Sequence, residues 1–426
     1  MKGGEAQSLD PFASLDALNT PAKRRGGGAK LPSTLDASFS AELRITYEDG
    51  REQDFVPIQG ALEDFAHQPL TISFERDDTL THTTRPVLIR GSELKIGIAG
   101  AVGRGKSFRA AFDAHAGTRI HAVCDVNVER LPEAADLLGA ELVFSDYSEM
   151  LGKGDLDAVV LGTPMPFHAP MAIEALGLGI HVMSEVTASV SVEESRALVE
   201  ATHRSEAVYM MAENYTYSRP NVLVKELVRK GLFGEVYYAE GEYLHELKEL
   251  NEITVWRRRW QTGIDGVTYG THSLGPILQW MPGDRVSRVC CEGSGHHYED
   301  PRDDKYENQD SCVMLGKMVS GGLVKIRVDM LSERPHSMSN YSLQGTKGCY
   351  ESARRRGECP KVWLEKICED KNAWIDLMEL EEEHMPEIWR NPSEEAKAAG
   401  HGGGDYFEVL DFVNTVLGDD LERRLD

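Results

Sequence analysis

The spacing of apolar residues changes in character along the chain, and each change predicts a different type of structure. Between residues 94 and 214, short apolar runs alternate with segments of helical period. The predicted strands are 95–99, 119–124, 142–144, 157–161 and 180–183, and the predicted helices are 103–116, 130–138 and 169–178. Strands and helices that alternate at this spacing form right-handed βαβ units. The pattern therefore predicts an α/β fold with a doubly wound parallel sheet over 93–214.

Beyond Asn214 the chain is dominated by long stretches in which apolar and polar residues alternate. These stretches are 235–244, 286–293, 311–316, 323–331 and 338–343, with helical patterns at 222–230 and 406–416. Alternation of this kind is typical of antiparallel strands that bury one face. We expect residues 215–426 to form a second, α+β domain with an open, largely antiparallel sheet.

The first 92 residues differ from both predicted domains. Residues 1–34 are rich in Gly, Ala, Pro and Ser without a sustained period, which predicts a mobile arm. Residues 35–92 contain an alternating stretch at 39–47, a turn at Glu48-Asp49-Gly50 and strand-like runs at 70–74 and 87–89. This segment is predicted to be a small β-rich appendage, and nothing in it indicates a chemical role.

Charge narrows the class of partner. The 426-residue chain has 46 basic and 70 acidic side chains and a formal net charge of −24. Such a surface repels phosphate backbones and anionic lipids, so we expect a small-molecule substrate and neither a nucleic acid nor a membrane as partner. No apolar run approaches the roughly 18 residues that span a bilayer, and the seven cysteines show no disulfide framework or zinc spacing. These features predict a cytoplasmic protein.

A glycine-rich turn follows the first strand of the predicted parallel sheet. Its residues are Gly100, Ala101, Val102, Gly103, Arg104 and Gly105. In a dinucleotide-binding fold, such a turn sets the cofactor pyrophosphate against free N–H groups and the positive end of a helix dipole. Val102 occupies the place of the middle glycine, so we expect Gly103 to let the backbone approach the phosphates.

Asp125 ends the second strand, where a carboxylate accepts from a ribose hydroxyl and repels a 2′-phosphate. Together with the glycine turn it predicts NAD as the cofactor. The alternative is a tight turn without a ligand, with Asp125 as a helix cap.

Four segments together resemble the Gfo/Idh/MocA family of glucose-fructose oxidoreductases and inositol dehydrogenases. They are 96–105, 124–127, 162–168 and 181–185. The resemblance runs from about Leu94 to the C-terminus, and it implies a Rossmann domain, an open-faced sheet domain and NAD(P) between them. The simple dehydrogenases of this family carry Glu-Lys-Pro, and an Asp four residues before a His. This chain has Glu185-Val186-Thr187, and Thr268 before His272. Val186 cannot exchange a proton, which argues against ordinary lysine-assisted oxidation of an alcohol.

The departures resemble one branch of that family, the NAD-dependent α-N-acetylgalactosaminidases of glycoside hydrolase family 109. The segments that carry this resemblance are 185–188, 210–217, 231–236, 239–245, 256–257, 269–276 and 400–405. The branch implies a redox-neutral cleavage of glycosides. In that route NAD oxidises the sugar C3 hydroxyl, the C2 proton becomes acidic, the glycosidic group is eliminated, water adds and the hydride returns.

That route requires a base at the C3 hydroxyl, a base near C2 and a proton for the leaving oxygen. Tyr269 and His272 lie three residues apart at a predicted helix start and therefore share a face. We assign His272 as the base for the C3 hydroxyl, with Tyr269 beside it. Tyr217 follows the last Rossmann strand, and we expect it to face the same cleft and take the C2 proton. The alternative is a core histidine among core tyrosines.

Glu185 and Asn214 end successive strands, where ligands of parallel sheets bind. We predict that they bind the nicotinamide ribose and carboxamide; the alternative is that both are structural caps. The remaining predicted cofactor residues belong to the resembling motif at 162–168 and are Thr163, Pro164 and His168.

Two polar clusters admit other interpretations. Residues 296–304 hold two histidines and several carboxylates, but adjacent histidines on an extended segment point apart. We therefore predict a solvated loop and no metal site. Residues 256–260 form a basic cluster with aromatic flanks, which in isolation suggests nucleic acid. In so acidic a chain, we expect these arginines to serve a sugar or salt bridges, and we assign Trp256, Arg257 and Tyr269 to substrate binding.

The sequence as a whole predicts an NAD-dependent, redox-neutral glycoside hydrolase. A sugar or polyol dehydrogenase that releases NADH is the second hypothesis, and a non-catalytic NAD- or sugar-binding protein is the third. An open sheet with an uncovered apolar face also predicts a homo-oligomer, a dimer or tetramer, formed through the second domain.

Overall fold

The computed structural model describes residues 93–115, 117–302, 305–335 and 337–418, together with four short strands nearer the N-terminus. The chain divides into two compact units, Met1–Leu70 and Thr71–Asp426. In the first unit, β1 (Ser38–Ala41) pairs antiparallel with β4 (Ile58–Ala61), and β2 (Arg44–Thr46) pairs antiparallel with β3 (Glu52–Asp54). The predicted arm at 1–34 and the predicted strands at 70–74 and 87–89 lie outside the described residues.

The parallel sheet that the alternating pattern predicts is confirmed. Its six described strands are β5 (Leu94–Ala99), β6 (Thr118–Cys124), β7 (Leu142–Phe144), β8 (Ala158–Leu161), β9 (His181–Glu185) and β10 (Tyr209–Ala212). The order is β7-β6-β5-β8-β9-β10, and every neighbouring pair is parallel. The strand order reverses between β5 and β8, and ligands of doubly wound sheets bind at such a switch point.

Five helices accompany this sheet in the described residues. They are α1 (Arg109–Asp113), α2 (Leu131–Leu138), α3 (Tyr147–Lys153), α4 (His168–Gly177) and α5 (Val192–Arg204). The helix predicted at 103–116 is divided, because a 3₁₀ turn over Arg104–Phe108 precedes α1. That turn is tight because the N–H groups of Gly103 and Gly105 both donate to the Gly100 carbonyl, each at 3.1 Å.

The second sheet has eight described strands in the order β12-β13-β14-β11-β15-β16-β17-β18. They are β11 (Val236–Leu244), β12 (Val286–Gly293), β13 (Ser311–Met318), β14 (Leu323–Asp329), β15 (Met338–Gly345), β16 (Gly348–Glu351), β17 (Lys361–Leu364) and β18 (Ile375–Asp376). The pair β11 and β14 is parallel and the other pairs are antiparallel, so the sheet is mixed and mostly antiparallel. The sequence did not predict β16 to β18, because strands of two to four residues are too short for a clear alternation.

The helices of this region are α6 (Arg219–Arg229), α7 (Lys248–Ile253), α8 (Trp256–Trp260), α9 (Thr271–Trp280), α10 (Glu381–His384), α11 (Glu387–Arg390), α12 (Glu394–Ala398) and α13 (Gly404–Leu417). Helix α9 lies directly on β11. A Cβ added at Gly241 would stand 2.3 Å from the Ser273 carbonyl oxygen, so glycine permits this approach. The contact fixes the height of α9, and with it His272, above the sheet.

The C-terminal helix α13 contributes to two apolar cores. Val409, Phe412 and Val416 are buried in the same cluster as β5 and β6. Phe407, near the start of the helix, is buried in the core of the second sheet and stacks on Trp389 with ring centroids 3.6 Å apart. The segment predicted as the second domain thus also completes the core of the Rossmann domain.

Candidate functional site

A cavity of about 450 Å³ opens at the switch point of the parallel sheet. Its wall combines residues from the Rossmann domain, the second domain and the segment before α13. The predicted site residues in the wall are Gly100, Gly103, Arg104, Asp125, Thr163, Pro164, Glu185, Asn214, Trp256, Arg257, Tyr269 and His272. The structure therefore brings residues that lie far apart in sequence to one cavity.

The glycine turn packs its backbone against the loop that follows β8. Gly100 has a φ of +78°, and a Cβ there would lie 2.5 Å from the Gly162 carbonyl oxygen. A Cβ at Gly105 would lie 2.6 Å from the Ile98 side chain, so this position is packed inside. At Gly103 the nearest atom to an added Cβ is 3.7 Å away, and the residue lines the cavity. An open backbone at Gly103 fits the approach of a pyrophosphate.

Val102 and Ala101, unlike Gly103, are not part of the cavity wall. The Val102 N–H donates to Asp125 Oδ2 at 2.9 Å, and Ala101 is fully buried. The Asp125 carboxylate also accepts from the Asn127 N–H at 2.9 Å. A carboxylate oxygen that accepts one hydrogen bond keeps a lone pair for another. Asp125 thus caps the turn and still presents acceptors at the cavity, where a ribose hydroxyl binds in such folds.

His168, which the sequence predicts to contact the cofactor, lies outside the cavity wall. His168 is 1% exposed. Its ring nitrogens lie 2.7 Å from the Thr187 and Thr163 carbonyl oxygens. Burial lowers the pKa of His168, and the two carbonyl contacts act against that effect. The imidazole ties together the loops after β8 and β9, and so supports the wall from behind.

The Arg104 side chain, which lines the cavity, contacts two acidic side chains. Its Nε donates to Glu185 Oε1 at 2.5 Å, and its terminal nitrogens lie 3.4 Å from Asp405 Oδ2. Burial opposes the charge of the guanidinium, but Glu185 and Asp405 outweigh burial and raise the pKa of Arg104. Glu185 therefore has a charged partner in addition to its place in the cavity wall.

Asp405 holds a second histidine at the cavity. His401, Gly402 and Gly403 have φ values of 53°, 70° and 98°, and this left-handed run turns the chain into α13. His401 lines the cavity, and its Nδ1 lies 2.8 Å from Asp405 Oδ1. Burial acts to raise the pKa of Asp405, but the contacts with His401 and Arg104 hold it below its usual range.

Asn214 lies beside this pair. Its Nδ2 is 3.1 Å from His401 Nδ1, and its Oδ1 is buried without a hydrogen-bond partner among the described residues. An unsatisfied amide oxygen in the wall fits the carboxamide N–H of a nicotinamide ring. Together with the open backbone at Gly103, it shows that the residues present suit a dinucleotide.

His272 is paired with a carboxylate that no local sequence pattern reveals. Its Nδ1 lies 2.7 Å from Glu213 Oε1. An ionised carboxylate only accepts, so neutral His272 carries its proton on Nδ1 and keeps a lone pair on Nε2. Glu213 fits against α9 because a Cβ at Gly275 would lie 2.5 Å from Glu213 Cγ. The adjacent Asn214 was assigned from its strand end, but nothing local marks Glu213 as the partner.

Aromatic rings surround His272. The rings of Tyr215, Tyr243 and Tyr269 have centroids 4.3, 5.1 and 5.1 Å from the imidazole. The predicted proximity of Tyr269 and His272 is therefore present. Burial raises the pKa of Tyr215 to about 12, with Glu213 adding to the effect. Burial also raises the pKa of Tyr269, so both phenols stay protonated at neutral pH.

The expectation that Tyr217 faces the cleft is wrong in this structure. Tyr217 is 6% exposed, and its hydroxyl donates to Asp411 Oδ2 of α13 at 3.0 Å. The chain leaves β10 through a 3₁₀ turn over Asn214–Tyr217, which directs Tyr217 away from the cavity. Its prediction as the C2 base assumed that the strand geometry continued.

The basic cluster at 256–260 forms α8. Arg257 stacks on Trp256 at 4.5 Å, and both line the cavity. Arg258 forms ion pairs with Glu252 and Asp300. The cluster thus combines cavity wall with salt bridges. Within the described residues there is no group of three His, Cys, Asp or Glu side chains placed to hold a metal ion.

The fold and the cavity together define the class of protein: an NAD-dependent enzyme of the Gfo/Idh/MocA type. Residues 94–213 match the oxidoreductase family with the NAD-binding Rossmann fold, and residues 217–423 match the C-terminal domain of glycosyl hydrolase 109. A glycosyl hydrolase family 109 protein of Saccharopolyspora erythraea is 31% identical over 356 residues, which cover 76% of this chain and 74% of the relative. The chain belongs to glycosyl hydrolase family 109. The predicted family, fold class, NAD cofactor and enzymatic nature are therefore confirmed.

Further relatives agree with this assignment. An α-N-acetylgalactosaminidase of Shewanella oneidensis is 32% identical over 347 residues, 74% of each chain. Among solved structures, levoglucosan dehydrogenase in complex with NADH has a TM-score of 0.65 at 21% identity, over 78% of this chain and 92% of that one. The scyllo-inositol dehydrogenase of Lactobacillus casei has a TM-score of 0.58 at 19% identity, over 79% and 92%. At these identities the structural likeness concerns the fold.

The helices that the structure describes are short. The longest helix in the part of the chain that the structure describes is α13, with 14 residues. No described helix is both long and apolar enough to cross a membrane.

Proposed function

We propose that this enzyme is a redox-neutral glycoside hydrolase that oxidises the C3 hydroxyl of its sugar transiently. The observation that carries the proposal is that two histidines line the same cavity and that each is paired with a buried carboxylate, His272 with Glu213 and His401 with Asp405. Oxidation of an alcohol needs one proton acceptor, whereas elimination and addition of water need further proton transfers. The name of the Shewanella oneidensis relative makes α-N-acetylgalactosaminides the first substrates to test.

NAD, when bound, would supply the hydride acceptor for C3 and the source of the hydride that is given back. The glycine turn, Asp125 and Asn214 are the residues that would hold it. His272 takes the proton of the C3 hydroxyl on Nε2, and Glu213 stabilises the imidazolium that forms. Val186 lines the cavity where the simple dehydrogenases have a lysine, so this side of the wall offers no ammonium group.

The remaining proton transfers are assigned to His401. Its side chain is 47% exposed at the cavity, and Asp405 orients it through Nδ1. Loss of the C3 hydride makes a ketone, whose neighbouring C2 proton becomes acidic. A base removes that proton as the glycosidic oxygen leaves and takes up a proton. With Tyr217 turned away, an imidazole is better suited to both transfers than the buried tyrosines, whose pKa values are raised.

The test uses purified protein with its bound cofactor and an aryl α-N-acetylgalactosaminide. The expected result is release of the free sugar without net NADH, with solvent deuterium entering C2 of the product. His272→Ala is expected to retain NAD and to lose about 10² to 10⁴ in the rate of hydride transfer, the usual value of a positioned base. His203→Ala, on the exposed side of α5, is the matched control.

The dehydrogenase hypothesis predicts a different product balance. Stoichiometric NADH with a released keto sugar and no exchange at C2 would replace the hydrolase by a sugar dehydrogenase. That outcome would also leave His401 without a role in the reaction.

A further inference from the structure

Three acidic side chains recur at every third position along α13. Asp405 binds His401, and Asp411 accepts from the Tyr217 hydroxyl. Glu408 lies between them and is fully buried. Neither of its carboxyl oxygens has a hydrogen-bond partner among the described residues. A buried carboxylate without a partner is far less stable than a buried carboxylic acid, so Glu408 is expected to carry its proton.

Glu408 faces the segment that carries Glu213. The first turn of α13 packs on this segment, because a Cβ at Gly404 would lie 3.3 Å from the Asn214 carbonyl oxygen. Tyr217, at the end of the same segment, reaches α13 one turn beyond Glu408. Gly404, Glu408 and Asp411 are spaced to share one face of α13, so Glu408 faces the segment between these two contacts.

The charged and titratable groups that act on Glu408 come from each packed element. They are Glu185 at the end of β9, Arg104 in the turn after β5, Glu213 before the 3₁₀ turn, Tyr217 within that turn and Asp405 on α13. Burial, followed by Glu185, Asp405 and Glu213, raises the pKa of Glu408 well above its usual value, and Arg104 acts against the rise. One cation, Arg104, therefore faces several acids, and Glu408 is fully buried among them.

Glu213 has an unsatisfied side that suits a neutral Glu408. Its Oε1 holds His272, but its Oε2 is buried without a partner among the described residues. A carboxylate can only accept, whereas a protonated carboxyl has one O–H to donate. In the part of the chain that the structure describes, Glu408 and Glu213 both have carboxyl oxygens without a hydrogen-bond partner. A protonated Glu408 supplies a hydrogen-bond donor, and an ionised Glu213 supplies an acceptor.

We propose that Glu408 is a positioning residue that acts through Glu213: its neutral carboxyl supplies the proton donor on the free side of Glu213 and keeps that carboxylate ionised and aimed at His272. The inference rests on the role of His272 in the proposed function. Glu408 contacts neither the sugar nor the cofactor in this proposal. The proposal gives a reason for a carboxyl group at a position that is buried from water.

The first test needs no substrate. The full-length protein with bound NAD and its Glu408→Gln variant are compared by difference infrared spectroscopy at neutral pH. The expected result is the carbonyl stretch of a protonated carboxylic acid, which is present in the parent and lost in the variant. Absence of that band from the parent overturns the proposal. This test decides even if no glycoside reduces the bound NAD, which would be a failure of the proposed function alone.

The second test asks whether Glu408 acts as a hydrogen-bond donor or as a negative charge. It compares Glu408→Leu, which removes the donor, with Glu408→Gln, which keeps an N–H donor and no charge. The measured quantity is the pH dependence of the rate at which a glycoside reduces bound NAD. Without a donor, the ionised form of the Glu213–His272 pair is less stable and the pair takes up a proton more readily. We therefore expect the acid limb of Glu408→Leu to move up by about one pH unit.

The Glu408→Gln variant is expected to keep its acid limb in place and to rescue most of the rate that Glu408→Leu loses. If Glu408 were ionised, both variants would remove a negative charge and both limbs would move down. That result, or two limbs that do not move, contradicts the proposal. Unfolding midpoints of both variants are measured alongside, so that a folding defect in Glu408→Leu is distinguished from a change in the pair.

Discussion

The interaction between His272 and Glu213 decides how the cavity can accept a proton. The Glu213 carboxylate fixes the imidazole so that Nε2 keeps its lone pair. Glu213→Gln is expected to retain NAD and to lower hydride transfer on the order of 10² to 10⁴, because the amide no longer fixes the tautomer or stabilises the imidazolium. Single-turnover reduction of bound NAD measures the loss. An unchanged rate would mean that His272 works without its partner.

The same pair can be disturbed without removing a chemical group. A Cβ at Gly275 would stand 2.5 Å from Glu213 Cγ, so Gly275→Ala is expected to displace Glu213 and lower the same rate. Gly177→Ala is the matched control, because an added Cβ at Gly177 meets nothing within 4 Å. Equal activity of the two alanine variants would show that the site tolerates movement of Glu213.

Some of these residues could be predicted from the sequence and others could not. Gly100 to Gly105 and Asp125 follow strands that a local pattern reveals, and the structure places most of them at the cavity. The Glu213–His272 pair spans 59 positions and the Arg104–Asp405 pair spans 301, and a single sequence does not reveal pairings over such separations. Tyr217 was misplaced for a local reason, since one 3₁₀ turn reverses the direction of a side chain.

The helix α13 joins Asp405, and through it His401, to the Rossmann core. Phe412 is fully buried against β5 and β6. Phe412→Ala is expected to lower the free energy of unfolding by about 3 to 5 kcal/mol, the usual cost of such a cavity. Because Asp405 lies two turns earlier on the same helix, the variant is also expected to release NAD faster on dialysis.

The control for this variant is Val199→Ala on α5, whose side chain is largely exposed and is expected to change stability by less than about 0.5 kcal/mol. Denaturant unfolding and retained NAD are measured on both variants. A Phe412→Ala protein that is destabilised but keeps its cofactor would show that α13 supports the fold without holding the site.

At the scale of the whole molecule, the open face of the second sheet predicts self-association. One face of β14 contributes Val324, Ile326 and Val328 to the core. The other face carries Lys325 and Arg327 beside the exposed Leu315 of β13, so the uncovered face is mixed and not apolar throughout as the sequence predicts. We expect a homo-oligomer formed through this domain, and light scattering at micromolar concentration measures it. A monomer at that concentration contradicts the prediction. With a net charge of −24, the association is expected to strengthen with added salt.

The return of α13 to the Rossmann core has a consequence for synthesis. The strands β5 and β6 leave the ribosome about 300 residues before the helix that covers them, so the core of the nascent NAD domain is incomplete until α13 has been made. The segment that carries His401 and Asp405 emerges at the same late moment. An unfinished chain therefore lacks both the last part of its core and one wall of its cavity. Cofactor binding during biogenesis is in this way tied to the synthesis of α13, and a product that is cut short before this helix exposes apolar surface that chaperones and proteases recognise.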